Sequence, residues 1–129
     1  MRIGRSALMI LLAKSVVELK FSRRLTKPGY SADRRMLCTN DRLLLNSGPG
    51  KEILNYQPPS GQGLKYDPAA KNLIPAWDIF MQNYRMINCN DVEVVSVIET
   101  SPNPDKWWTY FSESIAPMAA NNKASFMNS

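Results

Sequence analysis

The chain contains no histidine and only two cysteines, Cys38 and Cys89, which are far apart and form no CxxC pair. Zinc centres of the usual kind and Ser–His or Cys–His catalysis therefore lack their residues, and a disulfide scaffold is poorly supported. One Cys38–Cys89 bridge and two buried free thiols in a reducing compartment both fit that count. Long hydrophobic runs are missing as well. Ala7–Ala13 is closed by Lys14, far short of the roughly 20 apolar residues of a membrane span, and no small-x-small cleavage site follows it. The glycine-bearing stretches GPGKE and GQGLK do not match a phosphate loop, and no apolar strand precedes either. Carboxylates are few and scattered. Asp78, Asp91, Glu93 and Glu99 lie along strand-like segments and make no paired-acid site. The residues call for no metal, cofactor or enzymatic chemistry.

What remains is a foldable, moderately basic chain. Its 129 residues suit one domain, and 44% apolar against 21% charged residues is a globular balance. The net charge of +5 is concentrated early. Up to position 42, Arg2, Arg5, Lys14, Lys20, Arg23, Arg24, Lys27, Arg34, Arg35 and Arg42 stand against Glu18, Asp33 and Asp41. Such a half suits nucleic acid or an acidic protein surface, and also an ordinary solvated face.

Periodicity sets the order of elements. Residues 5–14 read as a short helix with Ser6 as N-cap and Leu8, Leu11 and Leu12 on one face. Val17, Leu19 and Phe21 then alternate with Glu18, Lys20 and Ser22 in a half-buried strand. A Pro28–Gly29 turn leads to a second strand over 35–39, with Met36 and Cys38 on one face. The stretch 40–47 carries three leucines in one helical turn, and 48–70, rich in glycine and proline, reads as a long insert without regular structure. Residues 71–98 then alternate again. Met81–Gln82–Asn83 is too short for a helix and forces an antiparallel hairpin, across which Asp78 and Arg85 form an ion pair. Asn88–Asp91 suits a single 3₁₀ turn before a last strand with Val92, Val94 and Ser96/Ile98 on one face. In the tail, Asn103 and Pro104 open a helix whose stripe is Trp107, Phe111 and Ile115, and a second helix covers 120–127. Trp108 falls on the flank of that stripe, which makes it the candidate exposed aromatic contact.

This succession resembles the small SH3-like β-barrel proteins encoded by tailed bacteriophages. The matching positions are Met36, Cys38 and Thr39 in the second strand, Trp77 and Asp78 in the third, and Tyr84 and Arg85 opening the fourth, within residues 16–98. The resemblance implies a five-stranded SH3-like barrel over 15–99; the 48–70 insert and the 100–129 tail depart from the family pattern, and the residues themselves give an N-terminal helix over 1–14 and a helical cover of two helices over 100–129. The resemblance also implies a phage context, in the virion or the host cytoplasm. It implies little about activity; because the residues assemble no catalytic set, the chain is expected to be a non-enzymatic protein acting by binding, a small virion structural component docked to other phage structural proteins or a host protein. The alternative is an intracellular nucleic-acid-associated module with no membrane role. Its candidate polyanion-binding residues are Lys20, Arg23, Arg24, Lys27, Arg34 and Arg35, on and around the first hairpin. If they hold phosphates, each contact removed lowers the slope of log K against log salt by about 0.7–0.9. Titration of single-stranded DNA at several salt concentrations measures that slope, and a flat response rules the phosphates out.

Overall fold

The computed structural model describes residues 2–22, 28, 33–58, 67–99 and 106–120. In chain order the elements are helix α1 (Arg5–Leu12), strands β1 (Ser15–Ser22) and β2 (Asp33–Thr39), short helices α2 (Arg42–Leu45) and α3 (Gly48–Ile53), strands β3 (Leu73–Asp78), β4 (Asn83–Asn88) and β5 (Val92–Glu99), and α4 (Trp107–Tyr110). A π-helical turn, Phe111–Ile115, continues α4, and helical backbone runs on to residue 120. The protein is mainly β, with all five strands in one antiparallel sheet ordered β4-β3-β2-β1-β5.

The sheet is open in its hydrogen bonding yet cannot be flat. Its edge strands β4 and β5 are joined by the three-residue 3₁₀ turn Cys89–Asp91. Four strand spacings would hold flat edges about 19 Å apart, whereas the link from Asn88 to Val92 reaches at most about 14 Å. The sheet therefore curls, and Asn88 Nδ2 at the end of β4 donates to Ser22 O at the end of β1 across 3.1 Å. Asn88 Oδ1 also accepts from Asn90 N, the Asx bond that bends the link.

Curling leaves an inner and an outer face, and both are covered. Val17, Leu19, Phe21, Met36, Cys38, Ile74, Ala76, Ile87, Val92 and Val94 fill the inner face, with Leu8 and Leu12 of α1 among them. Val16, Leu37, Trp77 and Ile79 lie on the outer face beneath Leu44, Leu45, Leu54 and Ile115. This double cover corrects the half-buried pattern expected of β1. Glu18 is only 6% exposed, and Arg35 answers its charge at 3.0 Å.

The pairing of β2 with β3 is short, only Cys38↔Asp78 and Thr39↔Trp77. Beyond Thr39 the strands part, and side chains take over the bonding. Asn40 Nδ2 donates to Pro75 O at 2.9 Å and Arg5 Nε to Leu73 O at 3.0 Å, while Pro75 has no N–H to satisfy. Helix α1 fits beside this split. Its N-cap is Gly4, which makes no side-chain bond, so Ser6 lies inside the helix and is not its cap.

Three further expectations change. The 48–70 stretch begins with α3, capped by Ser47 Oγ accepting from Gly50 N at 3.0 Å, and ends in a 3₁₀ turn, Ala69–Lys71. Strand β5 does not keep one face, because its register against β1 shifts between Glu18 and Leu19. Val95 is the extra residue of this bulge, so Val92 and Val94 point inward while Ile98 packs against the outer cluster. In the tail Tyr110, Phe111, Ile115 and Met118 pack on the outer face. The expected Asn103 cap and the rest of the 120–127 helix lie outside the described residues.

The expected Asp78–Arg85 pair does not form. Asp78, 2% exposed, takes Arg34 instead, Nη2 to Oδ2 at 3.0 Å, because β2 brings Arg34 to the inner face with Met36 and Cys38. Its Oδ1 accepts from Phe80 N and Met81 N and shapes the β3–β4 turn, where Gln82 has φ 54°. Asp78→Ala removes both functions and is expected to cost about 3–5 kcal/mol. Asp78→Asn keeps an oxygen for the turn and costs less; urea unfolding midpoints rank the two. Gly50→Ala is expected to unfold α3 locally, since a Cβ there would overlap Leu44 O. Loss of amide protection in α3 with β1 unchanged is the readout.

Candidate functional site

The basic hairpin is largely occupied by the chain's own carboxylates. Arg34 holds Asp78 and Arg35 holds Glu18, each at 3.0 Å. Lys20, exposed on β1, lies 3.6 Å from Asp33. The strands explain this. Alternation sends Arg34 inward and Arg35 outward, to the two buried acids of the sheet. Arg23, Arg24 and Lys27 lie outside the described residues, as does the side chain of Trp108. Among the described residues the structure thus gathers Lys20, Arg34 and Arg35 on one hairpin, but each faces an acid of the chain.

Helix α1 carries what the sequence reading missed. Its inward side, Leu8 and Leu12, is sealed in the core, while Met9 (46% exposed) and Ile10 (63%) remain open. An open cleft lies on each flank. The first, about 540 Å³, runs between α1 and the edge strand β5, where Ile3, Ala7, Ile10, Leu11 and Val97 line it beside Lys14 and Glu99. The second, about 500 Å³, lies between α1 and the β3–β4 hairpin. Met9, Ala13, Leu45, Ile74, Pro75 and Met86 make its apolar wall, and its polar groups are Arg5, Arg42, Asn40 and Tyr84. Among the described residues no carboxylate lines the second cleft, and both volumes fall in the range of ligand pockets.

Tyr84 belongs to an aromatic trio. Trp77 meets Tyr56 and Tyr84 edge-on, with centroids 5.0 and 5.3 Å apart, and the two tyrosine hydroxyls are bonded at 2.7 Å. Trp77 Nε1 donates to Leu54 O at 3.3 Å, which ties the trio to the end of α3. Burial raises the Tyr84 pKa and its bond to Tyr56 raises it further, against the pull of Arg42. Tyr110 is raised by burial and then by Asp41 and Glu99, and its hydroxyl donates to Ile98 O at 3.0 Å.

The two cysteines are free and buried. Burial raises the Cys38 thiol well above its ordinary value, with Asp78 adding to the effect, and burial also raises Cys89. Thiols held protonated in this way are poor nucleophiles. Among the described residues no group of three or more Cys, Asp or Glu side chains is placed to hold a metal. No described helix is long and apolar enough to cross a membrane. Comparison with protein-family models, with curated proteins and with solved structures finds no match to the chain.

The second cleft left a faint trace in the sequence. Arg5, Met9 and Ala13 recur at i, i+4 and i+8 on α1, and Tyr84 and Met86 alternate on β4. Nothing local shows that these two patterns face each other. Both thiols are expected to resist Ellman's reagent in the folded protein and to react once it is denatured. Tyr84 and Tyr110 are expected to ionise well above the ordinary tyrosine value near 10. The fold holds both in the neutral form, so their stabilisation is intact below pH 10 and is lost as pH rises beyond it. Thermal unfolding across alkaline pH measures the loss, and Tyr84→Phe should flatten part of it.

Proposed function

We propose that the protein works by binding, as a small non-enzymatic structural component of a tailed-phage particle built on an SH3-like barrel. The observation that carries this reading is the helix α1, anchored by two leucines yet open along both flanks. Ile10 and Val97, 63% and 42% exposed, face one cleft, and Met9 edges the other. Apolar side chains set beside concave, part-polar clefts are a common feature of surfaces that meet another protein. The fitting partners are other phage structural proteins or a host protein.

The barrel assignment is supported by the five-strand antiparallel order and by a single 3₁₀ turn joining the two edge strands. Nucleic-acid binding is the weaker reading, since Lys20, Arg34 and Arg35 already face carboxylates, which leaves it to Arg23, Arg24 and Lys27. Mass spectrometry of purified particles is expected to find the chain at a fixed ratio to the major structural proteins. Ile10→Asp, on the exposed side of α1, should keep its unfolding midpoint and be lost from particles. Absence of the parent chain from particles, together with salt-sensitive binding to single strands, would overturn the proposal.

A further inference from the structure

The cleft between α1 and the β3–β4 hairpin has a polarity that specifies its occupant. Arg5, Met9 and the C-cap Ala13 form one stripe along α1, with eight steps of the chain from first to last, which corresponds to about 12 Å of helix. Arg5 stands at the start of this stripe, where its Nε is fixed on Leu73 O at 3.0 Å. Arg42 stands at the other end, because Asn40 N donates to Leu12 O at 3.0 Å and brings the start of α2 beside Ala13. Among the described residues neither guanidinium has a carboxylate partner. Between them the wall is apolar, with Met9, Pro75 and Met86. The bonded hydroxyls of Tyr56 and Tyr84 use one proton between them and so leave one O–H to donate.

The site thus has a cation at each end of an apolar wall, and the α1 stripe between them runs about 12 Å. An extended peptide shows every second side chain to the same surface, so its residues i and i+4 lie about 13 Å apart. The geometry points to an extended segment of a partner protein with the pattern acidic–x–apolar–x–acidic as the occupant. Its carboxylates meet Arg5 and Arg42, and its central apolar side chain enters beside Met9. Charge complementarity selects this chemistry, since among the described residues the wall offers donors and no competing acid. The inference rests on the proposal that the protein acts by binding another protein.

Fluorescence anisotropy with the labelled peptide Glu-Ser-Leu-Ser-Glu tests it on the full chain. The expected result is saturable binding that weakens at least about fivefold in Arg42→Glu. Binding should weaken similarly in Met9→Asp, and also when the peptide glutamates are replaced by glutamine. Arg42 and Met9 are exposed side chains, so unchanged unfolding midpoints certify the variants as folded. Lys51→Glu, the same charge change on exposed α3 away from the cleft, should leave affinity as it was. Equal weakening by Lys51→Glu, equal binding of the glutamine peptide, or no binding at all would overturn the site. Binding of decanoate without binding of the peptide would overturn it in favour of a small anionic amphiphile. Loss of peptide binding in Arg42→Glu with normal incorporation into particles separates this cleft from the virion role. Absence of the protein from particles would sink that role and leave the peptide titration standing.

Discussion

Asp78 stands where three parts of the chain must agree. Its Cα is in register with Cys38, its Oδ2 receives Arg34 from β2, and its Oδ1 receives the amides of Phe80 and Met81 that turn β3 into β4. A carboxylate this buried is expensive to desolvate, and a single arginine repays only part of that cost. Its value is therefore less in net stability than in arrangement. Only two residue pairs join β2 to β3, too few to fix register by backbone bonding alone. The ion pair adds a side-chain condition that a one-residue slip would break, leaving a charge stranded in the core. With the β3–β4 hairpin held at that angle, Ile74 and Ile87 reach the inner core and Trp77 the outer one.

The sheet was legible wherever the signal was local. The strand over Val17–Phe21, the short break at Met81–Asn83 and the Asn-rich step at Asn88–Asp91 each depend on neighbours in sequence, and each appears in the fold, although β1 is covered on both faces. Misreadings arose where a partner came from far away. Arg34 and Arg35 read as candidate polyanion-binding charges of the first hairpin, and only the folded sheet supplies Asp78 and Glu18, 44 and 17 positions distant. The bulge at Val95 adds no residue type that marks it, because Val94 and Val95 are equally good strand formers. The cleft beside α1 left only a one-sided trace for the same reason, since Arg5 meets Leu73 across 68 positions.

Helix α1 has two roles that its composition keeps apart. Leu8 and Leu12 pack into the inner core, and truncating either would leave a cavity costing about 2–5 kcal/mol. Met9 and Ile10, one residue further round, do nothing comparable for the core. The helix is held rigidly by one side and presents the other on a fixed support. Because Arg5 is also bonded to β3, a ligand reaching it would meet a side chain already positioned, which lowers the ordering cost of binding.

The central place of β1 has a consequence for synthesis. Its partner on one side, β2, follows directly, but its partner on the other, β5, arrives last; Glu18 and Ser96 meet across 78 positions. At 5–20 residues per second, a ribosome needs about 4–16 s to cover that interval. Through all of it the valine-rich β1 offers one uncovered edge, the kind of surface that recruits a neighbouring nascent chain. Relative contact order is raised by the same pairing, which slows folding. On a crowded polysome the yield of this protein therefore depends on how quickly its last strand is made.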